Sequence, residues 1–180
     1  MFKKYNPEEK YYIPRFREFD EARVYIEDMN KDKDLVISAV DYMITHKEYY
    51  FLLKNLYEHI KKNELKREIF EYALMSFDIC PKRKEELNIY YEILKMENGY
   101  SKDIIEFLKV CCREVKDFIE TLLTDDSPFV RKSAVDILKY CPDKKTADRI
   151  KSLIPKEKDE KVKKEMIKYI KFFADHEKCP

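Results

Sequence analysis

The most reactive side chains in this sequence are its five cysteines, Cys80, Cys111, Cys112, Cys141 and Cys179. Cysteines form disulfides on oxidation, and their thiolates bind zinc. An odd number of cysteines without a CxxC spacing predicts neither a disulfide framework nor a zinc site. We therefore interpret Cys111, Cys112 and Cys141 as small apolar residues of a core.

Histidines, carboxylates and glycines give no catalytic pattern either. Only His176 and Cys179 have a spacing like that of metal ligands, and they stand at a terminus that we expect to fray. Gly99 is the single glycine, so the sequence has no glycine-rich phosphate loop. Carboxylates are so numerous that no catalytic pair stands out. The sequence predicts no enzyme, no catalytic residue, no metal and no cofactor.

Composition favours a helical, water-exposed protein. The 180 residues are 44% hydrophobic and 41% charged, which excludes a disordered chain, and so few glycines argue against the tight turns of an all-β fold. Glutamine is absent while Lys and Glu dominate the charges, which is typical of thermophilic proteins. No stretch reads as a signal peptide or a membrane span, so we expect a cytoplasmic location.

The elements that must position any functional side chain are helices in pairs. Between residues 115 and 123 the apolar residues recur at i, i+3, i+4, i+7 and i+8, which is one face of a helix. Ser127 and Pro128 then suit the N-cap and the first position of a second helix, which Pro142 ends.

The same two-helix pattern occurs five times. The second helix of each pair begins its apolar face at Leu35, Leu65, Ile104, Val130 and Val162, a mean step of about 32 residues. A repeat of this kind predicts an all-α solenoid, with an ordinary helical bundle as the alternative. We expect residues 19–180 to form one repeat domain and the aromatic residues 1–18 to form a terminal arm or cap. Gly99 is expected to lengthen a turn in the third pair.

The chain resembles the HEAT-repeat family over residues 114–173. The likeness lies in Asp125-Asp126-Ser127-Pro128-Phe129-Val130-Arg131-Lys132-Ser133-Ala134-Val135, an acidic turn followed by Val-Arg and a small residue. The resemblance implies a right-handed α-α superhelix of about five helical pairs. It also implies a ladder between repeats that uses Asp125 and Arg131, and more weakly Glu157 and Lys163. Upstream of residue 113 the pattern is degenerate.

The repeat alignment predicts a candidate partner-binding stripe on the outward face of the second helices, which line the concave surface of a solenoid. Its residues are Ile37, Asp41, Ile44, Arg67, Glu71, Leu74, Glu106, Val110, Arg113, Lys132, Asp136, Lys139, Lys164, Lys168 and Lys171. The stripe changes from mostly apolar to wholly basic. Residues 19–46 carry a net charge of −4 and residues 143–180 a net charge of +4.

This stripe predicts a non-catalytic scaffold or adaptor that binds an acidic protein surface near the C-terminal repeats. The alternative is a HEAT-like nucleic-acid-binding module, whose contacts would be weak, nonspecific and sensitive to salt. Head-to-tail self-association of acidic and basic ends is a third reading, and a merely solvated charged face is the fourth. We expect no membrane partner.

Overall fold

The computed structural model describes residues 16–176, with only the backbone of His176. Over this range the chain is helical and contains no strand. The helices are α1 (Phe19–Glu27), α2 (Lys33–Thr45), α3 (Tyr49–Lys61), α4 (Arg67–Ser76), α5 (Lys84–Leu94), α6 (Gly99–Val110), α7 (Cys112–Thr121), α8 (Pro128–Leu138), α9 (Lys144–Leu153) and α10 (Glu160–His176). Two 3-10 turns follow α7 and α9, at Leu122–Thr124 and Ile154–Lys156. The predicted all-α fold is therefore confirmed over this range.

The chain divides into two compact units, and the boundary between them in sequence lies between Ile69 and Phe70, inside α4. The first unit packs α1, α2 and α3 on one another around fully buried Ile26, Met43 and Leu56. The single repeat domain over 19–180 stays a prediction. The predicted arm over 1–18 falls almost entirely outside the described residues.

The second unit has two layers. Helices α6, α8 and α10 pack side by side, and α7 packs against both α6 and α8, while α9 packs against α10. Within the other layer, buried Glu120 of α7 accepts a hydrogen bond from Thr146 of α9, with the two side-chain oxygens 2.6 Å apart. The second helix of each pair thus forms one surface of this unit, and the first helices form the opposite one.

Local sequence explains where these helices begin. Ser127 caps α8 by accepting a hydrogen bond from the Val130 amide, and Pro128 holds the first helical position as predicted. Asp143 caps α9 in the same way through the Thr146 amide.

Helix ends that usually use glycine use other residues here. Lys47, Asn63 and Glu97 have positive φ angles of 61°, 58° and 51°, each a short way after a helix. This left-handed conformation costs roughly 1 kcal/mol or more for a residue with a Cβ. The chain therefore ends these helices without glycine, at an energetic cost that the packed helices offset.

The third pair differs from its prediction. Gly99 does not lengthen a turn: it is the first residue of α6, and Asn98 caps the helix by accepting a hydrogen bond from the Ser101 amide. The helix then ends at Val110, and a new helix starts at Cys112. The apolar pattern from Ile104 to Val115 therefore belongs to two helices that share a continuous buried face.

The expectation that the sequence has no disulfide framework is wrong. Cys80 is bonded to Cys111, with Cα atoms 5.4 Å apart, and Cys112 is bonded to Cys141, with Cα atoms 5.7 Å apart. Both separations lie in the range that a disulfide spans. Cys111, Cys112 and Cys141 are buried as predicted, but they are bridged rather than free. The adjacent pair at the α6–α7 junction therefore links three successive helical pairs covalently.

None of the helices over residues 16–176 combines the length and the apolar character that crossing a membrane requires.

Candidate partner-binding surface

In the first unit the predicted stripe is only partly open. Ile37, Asp41 and Ile44 of α2 are half-buried, whereas Arg67 at the start of α4 is exposed. An isoleucine pair fully open to water would be unfavourable, and the protein itself covers part of both side chains. The apolar end of the stripe is therefore less available to a partner than the sequence indicated.

Two stripe residues of the second unit, Leu74 and Arg113, do not lie where the repeat alignment put them. Leu74 is only 4% exposed, because Phe70, Ala73 and Leu74 are all buried and widen the apolar face of α4. Glu71, on the same helix, is half-buried. Arg113 is exposed, but it belongs to α7, since the helix break at Cys111 removes it from the second-helix layer.

The remaining stripe residues do share the second-helix layer. Lys132 of α8 and Lys164, Lys168 and Lys171 of α10 are exposed. Glu106 and Val110 of α6 are exposed as well, while Asp136 and Lys139 of α8 are half-buried.

Six charged side chains form a continuous series of ion pairs across this layer, which we call the charge ladder. The Lys109 Nζ lies 2.7 Å from Glu106 Oε1 and 2.9 Å from Asp136 Oδ2. Lys139 Nζ lies 3.6 Å from Asp136 Oδ1 and also pairs with Glu165. Lys168 Nζ closes the series, 3.0 Å from Glu165 Oε2. The ladder joins α6, α8 and α10 in alternating sign: Glu106, Lys109, Asp136, Lys139, Glu165 and Lys168.

Ion pairing in the charge ladder favours the charged forms of Lys109 and Glu165. Burial opposes the charged form of Lys109, but hydrogen bonds to Asp136 and Glu106 raise its pKa above the ordinary value. Burial likewise opposes the charge of Glu165, yet Lys139 and Lys168 lower its pKa. With three positive and three negative members, the ladder has no net charge at neutral pH. It contributes inter-helix contacts rather than a field that attracts a partner.

Three lysines beside the ladder are not neutralised. Within the described chain no ion pair includes Lys132, Lys164 or Lys171. All three are exposed, and they lie on the neighbouring helices α8 and α10. We call this group the lysine face; it is the part of the predicted stripe whose charge is available to a partner.

Arg131, one of the residues assigned to a ladder between repeats, links two of the turns between helices. Arg131 donates two hydrogen bonds to the Glu157 carboxylate, of 2.8 and 2.7 Å, and two more to the backbone carbonyls of Asp125 and Asp126. The Glu157 side chain is only 5% exposed. Hydrogen bonding to Arg131 lowers the pKa of Glu157 against the effect of burial. This pair ties the turn before α8 to the turn before α10.

Asp125 and Lys163, the other two residues that the sequence assigned to a ladder between repeats, make different contacts. Asp125 binds Arg131 through its backbone, while its carboxylate accepts a hydrogen bond of 2.7 Å from the Tyr91 hydroxyl of α5. That bond raises the pKa of Tyr91 to about 12. Among the described residues, the ion-pair partner of Lys163 is Glu160 of its own helix, at 3.9 Å. The contacts between these turns therefore run from Tyr91 through Asp125 and Arg131 to Glu157. They do not extend to Lys163.

Sequence reasoning missed a second inter-repeat cluster around Glu120. This carboxylate is 3% exposed and accepts hydrogen bonds from Thr146 and, at 3.4 Å, from Arg149 of α9. Lys116 lies one turn before it and pairs with Asp143. Glu120 lies outside the apolar pattern of α7, so the periodicity of the sequence gave no signal that this carboxylate is buried. The cluster holds α7 to α9.

An open cleft of about 310 Å³ lies between the two 3-10 turns and is lined by Leu123, Asp125, Arg131, Glu157 and Met166, among others. The Arg131 guanidinium is already directed at Glu157 and at two carbonyls, whereas Lys156 and Lys158, which also line the cleft, form no ion pair among the described residues. Across the part of the chain that the structure covers, no three His, Cys, Asp or Glu side chains converge as a metal site would require.

Comparison with protein-family models, with curated proteins and with solved structures finds no match for this chain. The surface itself therefore carries the functional argument.

Proposed function

We propose that this protein is a non-catalytic scaffold or adaptor that binds an acidic protein surface. Its repeats would wind as a right-handed, HEAT-like superhelix, with the partner on the concave surface that the second helices line. Two observations support this arrangement: the side-by-side packing of α6, α8 and α10, and the Arg131–Glu157 link between consecutive turns.

The lysine face carries the proposal. Lys132, Lys164 and Lys171 are exposed and unpaired within the described chain, while the charge ladder beside them is internally neutral. An unpaired cation attracts an acidic group without first breaking an existing ion pair. Rim charges of this kind mainly raise the association rate and give specificity. The partner's matching surface is therefore acidic.

A protein partner fits this surface better than nucleic acid does. The whole chain has a net charge of only +1, and three lysines neutralise few phosphates. Binding of single strands also relies on aromatic side chains that stack on bases, and the lysine face has none among its members.

The test is a pull-down from nuclease-treated lysate of the native host, followed by mass spectrometry. Wild type is compared with a variant carrying Lys132→Glu, Lys164→Glu and Lys171→Glu. The charge-matched control has Lys54, Lys151 and Lys156 changed to Glu; all three are exposed and belong to neither the lysine face nor the stripe. Circular dichroism verifies that both variants fold.

A protein that comes down stoichiometrically with wild type and control, but not with the lysine-face variant, would support the proposal. Equal recovery with all three proteins would overturn it. If wild type binds only nucleic acid, and only before nuclease treatment, the nucleic-acid module replaces the scaffold.

We further propose a cytoplasmic location in a thermophilic cell. Disulfides are rare in the cytosol of mesophiles but common in intracellular proteins of hyperthermophiles. Two disulfides together with the Lys- and Glu-rich, glutamine-free composition fit that exception. Measuring the unfolding temperature tests this: a midpoint below about 65 °C, in the usual range of mesophile domains, would argue for an oxidising compartment instead.

A further inference from the structure

Of the six large apolar side chains that are exposed in the described part of the second unit, three directly precede a bridged cysteine. Ile79 is 48% exposed, Val110 is 83% exposed and Tyr140 is 60% exposed. They precede Cys80, Cys111 and Cys141. Isolated exposed apolar residues are ordinary on protein surfaces, but three at equivalent places in successive repeats form a pattern. We call Ile79, Val110 and Tyr140 the apolar row.

The disulfides hold the apolar row along one edge of the repeats. Since bridged Cα atoms are 5.4 Å apart and neighbours in sequence about 3.8 Å apart, the Ile79 and Val110 Cα atoms lie within about 13 Å. The Lys109 ammonium lies 5.4 Å from the centre of the Tyr140 ring, so Tyr140 is close to the residue that precedes Val110.

Basic side chains follow the same cysteines. These exposed residues are Lys82, Arg83 and Lys84 after Cys80, Arg113 after Cys112, and Lys144 and Lys145 after Cys141. In the described chain none of them belongs to an ion pair. In sequence, each bridge is therefore preceded by an exposed apolar residue and followed by an unpaired basic residue.

We propose that this edge binds an amphipathic helix of a partner protein, with apolar residues on one face and acidic residues beside them. Neighbouring packed helices are about 8–10 Å apart. A partner helix rises about 10.5 Å in seven residues, so apolar residues spaced by seven match successive members of the row. The unpaired basic side chains then face the partner's carboxylates. This site is separate from the lysine face and does not depend on the function proposed for it.

A second copy of this chain is a poorer occupant. A two-fold contact places the same patch on both sides, which would bring the basic side chains against each other.

The experiment uses a fluorescently labelled peptide of about 18 residues, helical by design, with leucines on one face and glutamates on the other. Its binding to the oxidised full chain is measured by anisotropy. The row variant carries Ile79→Ser, Val110→Ser and Tyr140→Ser. The control variant carries Val24→Ser and Ile167→Ser, which remove exposed apolar side chains elsewhere, of 46% and 39% exposure.

We expect the row variant to weaken peptide binding at least tenfold, and the control and the Lys132/Lys164/Lys171→Glu variant to stay within about twofold of wild type. A peptide with lysine in place of glutamate should not bind. Circular dichroism shows whether each variant is folded, and the exposure of the substituted residues favours this.

Two results would overturn the proposal: equal binding of the peptide by wild type and the row variant, or no binding of the peptide by wild type. Wild type is also tested with vesicles of neutral and of anionic phospholipid. Binding to anionic vesicles without binding to the peptide would make this edge a membrane contact and would overturn the helix proposal.

Discussion

Reduction of the two disulfides should lower the stability of the second unit strongly. The bridges close chain segments with sequence separations of 31 and 29 residues. In the chain-entropy treatment, loops of this length stabilise the folded state by about 3.7 and 3.6 kcal/mol. The two loops follow one another without overlapping, so their contributions add to about 7 kcal/mol. Domains are usually stable by only about 5–15 kcal/mol, so this is a large part of the total.

The assay is urea unfolding monitored by circular dichroism, with and without a phosphine reductant added to the unfolded protein before refolding. This order matters because Cys111 and Cys112 are each 1% exposed, which shields the bonds in the folded state. With a denaturant dependence of roughly 2 kcal/mol per molar, the midpoint should fall by roughly 3 M. Cys179→Ser is the control, since Cys179 takes no part in either bridge.

Thiol titration of the unfolded, non-reduced protein distinguishes two causes of a result that contradicts this prediction. Of the five cysteines four are bridged, so no more than one free thiol should be found, and none in Cys179→Ser. Five free thiols would show that the bridges do not form. One free thiol together with a midpoint that reduction leaves unchanged would refute the loop-entropy estimate itself.

Four further changes have definite expected outcomes. Arg131→Ala should lower the free energy of unfolding by about 2–3 kcal/mol, because it leaves the buried Glu157 carboxylate without its cation, whereas Lys163→Ala should cost under about 0.5 kcal/mol; equal losses would refute the link between repeats. The pKa of Glu157 is lowered in the folded state, so its contribution is complete above the ordinary value of 4.5 and is lost as the pH falls below it. Glu157→Gln should therefore make unfolding midpoints less dependent on pH between about 5 and 3, and an unchanged pH dependence would contradict this. A double-mutant cycle of Lys109→Ala and Asp136→Ala should give a coupling of about 0.5–1 kcal/mol that shrinks in 1 M salt, and a coupling of zero would remove the charge ladder as a stabilising feature. Amide hydrogens of α10 should exchange faster than those of α8 in the oxidised protein, because a disulfide anchors the end of α8 but not α10. Reduction should make this difference in exchange rate smaller, and a difference that reduction leaves unchanged would contradict the prediction.

The helical pairs were predictable because amphipathic periodicity and caps are local. Ser127 and Pro128 start α8 as expected, since their effects act within one turn. The break at Cys111 was not predictable from periodicity, because the apolar pattern continues through it. Consequently Arg113 was assigned to the wrong helix, although the buried face was assigned correctly.

The contacts between repeats could not be predicted from the sequence, for a different reason. Periodicity tells which face of a helix is buried but not how far neighbouring helices slide past each other. Cys112 was correctly placed in the core, yet its bond to Cys141 depends on that offset. The same holds for Lys139, which was expected to be free for a partner and instead pairs with Glu165. The sequence singled out Arg131 and Glu157 but not the contact between them, because that contact depends on the same offset.

The two proposed binding surfaces are held by different chemistry, and this has a functional consequence. Disulfides fix the backbone beside Ile79, Val110 and Tyr140, so the shape of the apolar row depends on the redox state. The lysine face lies on α8 and α10, which are joined by the Lys139–Glu165 and Arg131–Glu157 pairs, so its geometry depends on pH and, at its exposed margin, on salt. Reduction therefore acts first on the apolar row, whereas low pH acts first on the ion pairs that join the helices of the lysine face.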